Sequence, residues 1–386
     1  MSAAASAPFA PPGTPGNLTA DEEQKLRETW THILRLGGVG VGGVDGGISD
    51  AGTAGAGLTL SNLRQQLSDP SPQRFRKGLW DAVQASDPDA VVLRFLRARK
   101  WDVARAAEML VSAINWRLER DIAGSIIRSG EGVALQTEPM TDDDRALLAQ
   151  YRSGKSFVHG VDHDGRLVYV VRVALHDPRA QSAAAMESYV LHNIESIRLL
   201  VRPPVDRCCI LFDMAGFGMK NMDFNIARFL VSVFEARYPE TLGVVLIHNA
   251  PFVFWGIWNA IKGWLDPVIA AKIHFTRQPA DLLQFIPAEN LQTCYGGTDP
   301  WEYAYIEPVA GENARLDEAE KRAEIEAKRE ELIREFELET TAWAAGKGDA
   351  KKRADVAGRL GANYRRLDPY IRARTLYHRT GAVPDS

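Results

Sequence analysis

The side chains with catalytic potential are few in this sequence and do not form a recognised catalytic pattern. His192 and Glu195 share one face of a predicted helix, but two ligands make a weak metal site, and the spacing favours an ordinary helix pair. Cys208 and Cys209 lie on a predicted strand, where neighbours point to opposite faces, and no adjacent histidine activates them for hydrolysis. GxSxG, HExxH and P-loop signatures are absent from the sequence. We therefore expect no catalytic residue, no metal ligand and no cofactor.

A glycine-rich segment contains a formal GxGxxG pattern at residues 38–43. Dinucleotide binding requires a strand before this pattern and a helix after it. Here a predicted helix over 20–36 precedes it and more glycine follows, so residues 37–57 are predicted to form a flexible loop.

The most apolar stretch of the chain is a predicted helix that follows a buried strand at 242–248. Asn249 is predicted to cap this helix, Pro251 to lie in its first turn, and Leu265 to be near its end. More than half of its circumference is apolar, through Val253, Phe254, Trp255, Ile257, Trp258, Ile261, Trp264 and Leu265. A surface helix needs a narrower apolar face, so this helix is either buried or in contact with something apolar that is not protein. Interrupting polar residues, among them Asn259 and Lys262, argue against a membrane span.

The motifs around this helix resemble the CRAL-TRIO lipid-binding family, in the branch that contains the fungal phosphatidylinositol-transfer proteins. The matching motifs are Tyr238-Pro239-Glu240, IHNAP at 247–251, WLDPV at 264–268, Lys272-Ile273, Ile286-Pro287, Gly296-Gly297, PGTPGNL at 12–18 and LRFLRARKWD at 93–102. The resemblance covers about residues 87 to 300. It implies an α/β fold with a mainly parallel sheet flanked by helices, preceded by a small helical domain. It also implies a mobile gate helix over a pocket for one lipid, with gate residues Phe254, Trp255, Trp258, Ile261 and Leu265.

The resemblance implies a site for the phosphatidylinositol headgroup formed by Arg99, Glu240 and Lys272. The Lys272 ammonium would contact the phosphate, Glu240 would bind inositol hydroxyls or hold Lys272, and Arg99 would orient or neutralise the site. The alternative is a structural ion-pair cluster that joins the two domains. Two neighbouring positions depart from the family pattern, with Thr241 in place of arginine and Ile269 in place of threonine.

The second half of the family's ligand site is not preserved. Where the family prototype has hydroxyl side chains that hold phosphocholine, the aligned pocket-lining positions here are Val158, Ile194, Cys208 and Ile210. A buried phosphate without donors costs several kcal/mol. We therefore expect phosphatidylcholine exchange to be lost and the pocket to suit a neutral lipid such as squalene or a sterol. Arg94 and Arg97 are interpreted as a solvated or salt-bridged helix face.

Strands and helices alternate along the part of the chain that carries the resemblance. A hairpin is predicted at 156–159 and 167–173, helices at 182–201 and 225–237, and strands at 207–213 and 273–276. A charged helix is predicted at 312–345, and the basic aromatic segment 364–377 either docks on a membrane or packs on the main domain. The predicted domains are residues 1–70 (helix and glycine-rich segment), 71–135 (helical), 136–300 (lipid-binding) and 301–386 (C-terminal extension).

The amino-acid composition limits the functions that the protein could have. The 386 residues are 45% hydrophobic and 25% charged, as in ordinary globular proteins, and the net charge of −4 argues against general nucleic-acid binding. Three cysteines without a CxxC pair favour a reducing compartment, and the N-terminus lacks signal-peptide features. We expect a cytoplasmic, peripherally membrane-associated protein that transfers phosphatidylinositol through transient membrane contact. The alternative is a lipid-sensing module that presents phosphatidylinositol to a lipid kinase, and nothing in the sequence indicates the oligomeric state.

Overall fold

A computed structural model of the chain describes residues 10–40 and 59–384. Residues 41–57 of the predicted loop, and with them the second half of the GxGxxG pattern, lie outside the described residues. The N-terminal part is helical: α1 (Ala20–Leu36), α2 (Leu60–Gln65), α3 (Pro72–Val83), α4 (Pro88–Ala98) and α5 (Val103–Glu119). Asp87 accepts hydrogen bonds from backbone amides in the first turn of α4, and Asp102 accepts one in the first turn of α5.

One sheet of five strands forms the centre of the following part of the chain. The strands follow chain order: β1 (Ser156–Val161), β2 (Leu167–Arg172), β3 (Cys208–Asp213), β4 (Leu242–His248) and β5 (Ile273–Thr276). β1 is antiparallel to β2, and every later pair is parallel. The α-helices of this part of the chain are α6 (Asp142–Arg152), α7 (Ala183–Leu200), α8 (Phe224–Ser232), α9 (Phe254–Lys262), α10 (Pro267–Ala270) and α11 (Pro279–Leu283). The predicted mainly parallel α/β fold is confirmed.

The two faces of the sheet have different roles because side chains alternate along each strand. Val168, Val170, Cys209, Leu211, Val244 and Leu246 form a solid core with Leu282, Ile286 and Leu291. The intervening residues line a cavity on the other face: Tyr169, Val171, Ile210, Phe212, Val245 and Ile247. Strand register aligns Tyr169, Ile210, Val245 and Ile273 in one row across the sheet.

The predicted gate helix begins later than expected. Asn249 does not cap it: its φ of 57° is left-handed, and its backbone N–H donates to the Thr276 carbonyl. The chain therefore continues the β4–β5 pairing before it turns, and α9 begins at Phe254. No helix in the described ranges is long and apolar enough to cross a membrane.

The C-terminal extension packs on the N-terminal helices. It contains α12 (Ala319–Ala344), α13 (Ala350–Ile371), which the sequence pattern did not predict, and α14 (Leu376–Arg379). Phe336 of α12 is fully buried and meets the rings of Trp30 and Trp80 edge-on. Because α12 and α13 share one apolar core with α1 to α5, the extension and the helical region form one packed unit.

Candidate functional site

A cavity of about 1150 Å³ lies between the open face of the sheet, α7, α8 and the gate helix α9. Most of its lining is aliphatic or aromatic. Typical small-molecule pockets span about 300–1,000 Å³, so this space accommodates a ligand larger than a typical metabolite. Its chemistry is that of a hydrocarbon-binding chamber.

Three of the four residues predicted to line the pocket do so. Ile194 reaches the cavity from α7, and Cys208 and Ile210 reach it from β3. Val158 does not: it lines a separate, smaller cavity of about 330 Å³, and its N–H donates to the Tyr377 hydroxyl over 3.0 Å. The ring of Tyr377, contributed by the C-terminal extension, faces this part of β1.

The gate helix presents two apolar faces. Phe254, Trp258 and Ile261 of α9 line the cavity, and so does Leu265, shortly after the helix ends. Trp255 is instead 43% exposed and packs on Phe275, with ring centroids 4.7 Å apart. Phe252, in the turn before α9, is 93% exposed. The wide apolar arc seen in the sequence is thus divided between a face that contacts the cavity and a face that lies open to the surroundings.

Glu240 and Lys272 meet at the edge of the cavity. Lys272 Nζ lies 3.5 Å from Glu240 Oε1, and burial lowers the pKa of Lys272, against the opposing effect of Glu240. Neither side chain lines the cavity, but their neighbours Pro239, Thr241 and Ile273 do. Glu240 has a φ of 57°, a strained conformation for a residue other than glycine. Such strain is concentrated at functional sites, where surrounding contacts maintain it.

The predicted third member, Arg99, is not brought to this pair. It lies exposed at the C-terminal end of α4, outside the cavity lining. Arg97 is on the side that faces the sheet, where Nη2 lies 2.7 Å from Asp206 Oδ2 and Nη1 donates to the Gly13 carbonyl. Arg207 then connects Asp206 to Glu240, at 3.8 and 3.3 Å. The ion pairs thus run from the helical region to Lys272.

Arg94 was interpreted from the sequence as a solvated or salt-bridged residue, but the structure places it in the cavity lining. It forms no ion pair among the residues that the structure describes. Burial lowers its pKa to about 10, and the charge of Arg198 adds to this effect.

The cavity also contains polar groups that sequence reasoning missed. Lys155, Ser156, Tyr169, His176 and Tyr189 all line it. The sequence could have predicted two of them, because Ser156 and Tyr169 alternate with core residues along β1 and β2 and must therefore face the cavity side of the sheet. The orientation of Lys155, which precedes β1, could not be read from any periodicity. The four aligned positions offer no strong donor, but these other residues give this end of the cavity several hydrogen-bond donors.

His192 and Glu195 have separate roles in the interior. His192 Nδ1 pairs with the Tyr151 hydroxyl, and burial lowers the pKa of His192 to about 3. Burial alone would raise the pKa of Glu195, but Arg117 and Arg198 hold it well below its usual range. Glu195 also accepts from Tyr238, so it connects α7 to α5 and to the end of the segment before β4.

Comparison with known proteins agrees with this architecture. A family model described as the CRAL/TRIO domain matches residues 151–297, and the model of its N-terminal domain matches residues 59–112. The chain is 34% identical to a CRAL-TRIO domain-containing protein of Schizosaccharomyces pombe, over 96% of this chain and 92% of that protein. The chain belongs to the CRAL-TRIO family.

Other CRAL-TRIO relatives carry functional names. The chain is 32% identical to the phosphatidylinositol transfer protein CSR1 of Eremothecium gossypii, over 97% of this chain and 99% of that protein. It is 28% identical to the SEC14 cytosolic factor of Yarrowia lipolytica, over 75% of this chain and 51% of that protein. Homology to a phosphatidylinositol transfer protein confirms the predicted family and the prediction that the chain is not an enzyme.

Proposed function

We propose that this protein carries phosphatidylinositol between membranes, one molecule at a time, in the cavity beneath α9. The observation that carries the proposal is the gate: one face of α9 lines a large apolar cavity, and the other is exposed. The near full-length similarity to a phosphatidylinositol transfer protein supports the choice of lipid.

The cavity offsets the free-energy cost of removing a lipid from the bilayer. Each buried methylene is worth about 0.8 kcal/mol, so two acyl chains lose on the order of 25 kcal/mol if they leave a bilayer for water. An apolar chamber replaces the bilayer at little net cost. While α9 is displaced, its inner face would lie against acyl chains, and on closing it would cover the cavity again.

The headgroup is proposed to lie at Glu240 and Lys272. The ammonium of Lys272 suits a phosphate, and Glu240 suits inositol hydroxyls. Arg97 and Arg207 position this pair through Asp206 and Glu240. The predicted role of Arg99 is retained in a weaker form, as a charge that attracts the headgroup from the surface.

A second candidate ligand is a neutral lipid of the squalene or sterol class. It is supported by Ile194, Cys208 and Ile210, which offer no strong donor to a phosphocholine group. We further propose action at cytoplasmic membrane surfaces, with peripheral contact through Phe252 and Trp255. The name of the relative called a cytosolic factor supports that location.

Native mass spectrometry of the purified chain tests the cargo. We expect one phosphatidylinositol molecule per chain after incubation with vesicles of mixed phospholipids, and no phosphatidylcholine adduct. A phosphatidylcholine adduct of similar abundance would contradict the proposal. Binding of phosphatidylinositol without bulk transfer would instead favour the lipid-sensing module.

A further inference from the structure

The polar groups of the cavity lie far from the proposed headgroup site. The backbone carbonyl of Lys155 accepts from Arg172 N–H over 2.7 Å, and Arg172 ends β2, so Lys155 is at the carboxyl edge of the parallel strands. Glu240 and Lys272 precede β4 and β5 and lie at the amino edge. With about 3.3 Å per residue, the five steps along β2 separate the two edges by roughly 16 Å. The cavity thus has a charged group near each end.

The positive charge of the Lys155 ammonium group is poorly balanced by its surroundings. Its side chain is only 4% exposed, and Nζ lies 3.1 Å from His176 Nδ1 and 3.5 Å from the Met186 thioether sulfur. It forms no ion pair with a carboxylate among the described residues. The nearby carboxylate, Asp223, lies 3.3 Å from His176 Nε2 and also accepts from two backbone amides at the start of α8. One of the three Lys155 N–H groups is therefore left for a ligand.

A chain of hydroxyl groups lies beside this ammonium. Tyr169 donates to Ser156 Oγ over 2.6 Å, and Ser156 Oγ lies 2.5 Å from the Tyr189 hydroxyl. Lys155 Nζ lies 5.4 Å from the centroid of that same Tyr189 ring. Three hydroxyl protons serve two hydrogen bonds within the chain, so one proton remains to be donated. Lys155 and the hydroxyl chain together offer two unused donors.

This surplus of donors selects a group that only accepts hydrogen bonds. A carboxylate accepts through two oxygens and compensates the ammonium, as a phosphodiester also would, whereas an alcohol brings a further proton that also needs an acceptor. The absence of a phosphatidylcholine adduct in native mass spectrometry would exclude the phosphodiester. Adjoining apolar residues Ile194 and Ile210 would contact a hydrocarbon chain.

We propose that Lys155 and the hydroxyl chain of Ser156, Tyr169 and Tyr189 form a carboxylate-binding subsite, and that the cavity takes a long-chain fatty acid. The carboxylate lies at Lys155 and the hydrocarbon chain extends along the open face of the sheet. This site is separate from the proposed phosphatidylinositol headgroup site, so it can be tested without any phosphoinositide.

Oleate and oleyl alcohol provide a matched pair of probes because they share one hydrocarbon chain. We expect the delipidated protein to bind oleate at least about tenfold more tightly than oleyl alcohol at pH 7, as a charge-assisted hydrogen bond in a buried site provides. Lys155→Met should weaken oleate binding by about tenfold and change alcohol binding by less than about threefold. Isothermal titration calorimetry measures both.

Lys351→Met is the control variant, since Lys351 is exposed and outside the cavity. It should bind both probes as the unchanged protein does. Equal affinities for oleate and oleyl alcohol, or an unchanged oleate affinity in Lys155→Met, would overturn the subsite. The comparison of the two probes on the unmodified chain is decisive even if the variant fails to fold. Loss of phosphatidylinositol binding alone would leave this result intact.

Discussion

Substitution of Lys272 or Glu240 can distinguish a headgroup-binding site from a structural ion pair. We expect Lys272→Ala to lower phosphatidylinositol transfer by roughly 10- to 100-fold, the worth of a charge-assisted hydrogen bond of about 1.5–3 kcal/mol. The free energy of unfolding should change by less than about 1 kcal/mol, because the pair is partly exposed and its contact is long.

The control for this prediction is Arg277→Ala, which removes an exposed cation close to β5 that forms no ion pair in the described part of the chain. Transfer by that variant should be unchanged, and Arg99→Ala should show a smaller loss than Lys272→Ala. Parallel losses of transfer and stability in Lys272→Ala would identify the cluster as structural. Vesicle transfer assays and urea unfolding provide the two measurements.

Lys155 should reduce stability in the lipid-free protein. Burial lowers its pKa from 10.5 to about 8, with Asp223 opposing the effect. At pH 7 this shift corresponds to a penalty on the order of 3 kcal/mol, so Lys155→Met should raise the free energy of unfolding by up to that amount. A residue that lowers stability in the absence of ligand is a mark of a binding site.

The sign of the pH dependence follows from the same shift. Between about pH 8 and 10.5 the folded chain releases the Lys155 proton before the unfolded chain does, so the unfolded state binds more protons. Stability attributable to Lys155 therefore rises with pH over this range. The advantage of Lys155→Met should shrink correspondingly in urea titrations at pH 7 and pH 9.5. An advantage that grows with pH would contradict the buried-ammonium interpretation.

The sequence predicted the positions of some side chains at the site and not of others. Ile194, Cys208 and Ile210 lie in the cavity lining, and the opposite orientations of Cys208 and Cys209 follow from strand alternation. Arg97 is on α4 and Arg99 directly follows its last residue, so the two side chains lie on different sides, and motif matching alone did not reveal which one faces the sheet. The contact of Val158 with Tyr377 joins positions 219 residues apart, beyond the reach of any local pattern.

At the scale of the element, α9 carries two functions on two faces. Trp255 and Trp258 are three residues apart and chemically identical, yet only Trp258 lines the cavity. We expect Trp255→Asp to weaken vesicle binding several-fold while the purified chain keeps its lipid. Trp258→Asp should reduce the lipid retained on purification, because it places a charge within the apolar chamber.

Each variant is the control for the other. Co-sedimentation with phosphatidylinositol-containing vesicles measures membrane binding, and lipid extraction measures the retained cargo. Identical effects of the two substitutions on both measurements would contradict the division of α9 into an inner and an outer face.

The sequence predicted the presence of helices and strands better than the residues at which they begin and end. The sequence predicted β4 and β5 with their observed limits, and α7 within one residue at each end. The start of α9 was wrong because Asn249 remains hydrogen-bonded beyond β4, a pairing that depends on β5. α13 was missed although its buried residues Val356, Leu360, Tyr364 and Leu367 recur at helical spacing.

At the scale of the whole molecule, the helical unit and the sheet form the two sides of the cavity. Arg117 of α5 contacts Glu195 of α7 over 2.6 Å, and Arg97 of α4 contacts Asp206. Glu195 is fully buried, so Glu195→Ala would leave the buried Arg117 without the carboxylate that balances its charge. We expect a loss of about 3–5 kcal/mol in the free energy of unfolding, measured by urea titration. A loss below about 1 kcal/mol would show that this ion pair does not hold the two sides together.

The central claim is that the cavity carries phosphatidylinositol and excludes phosphatidylcholine. A two-lipid vesicle assay tests it most directly, with labelled phosphatidylinositol and labelled phosphatidylcholine in one donor population and the unmodified chain at substoichiometric concentration. We predict that phosphatidylinositol moves to acceptor vesicles over many rounds per protein, while phosphatidylcholine moves no faster than without protein. Transfer of phosphatidylcholine at a comparable rate, or no transfer of either lipid, would contradict the claim.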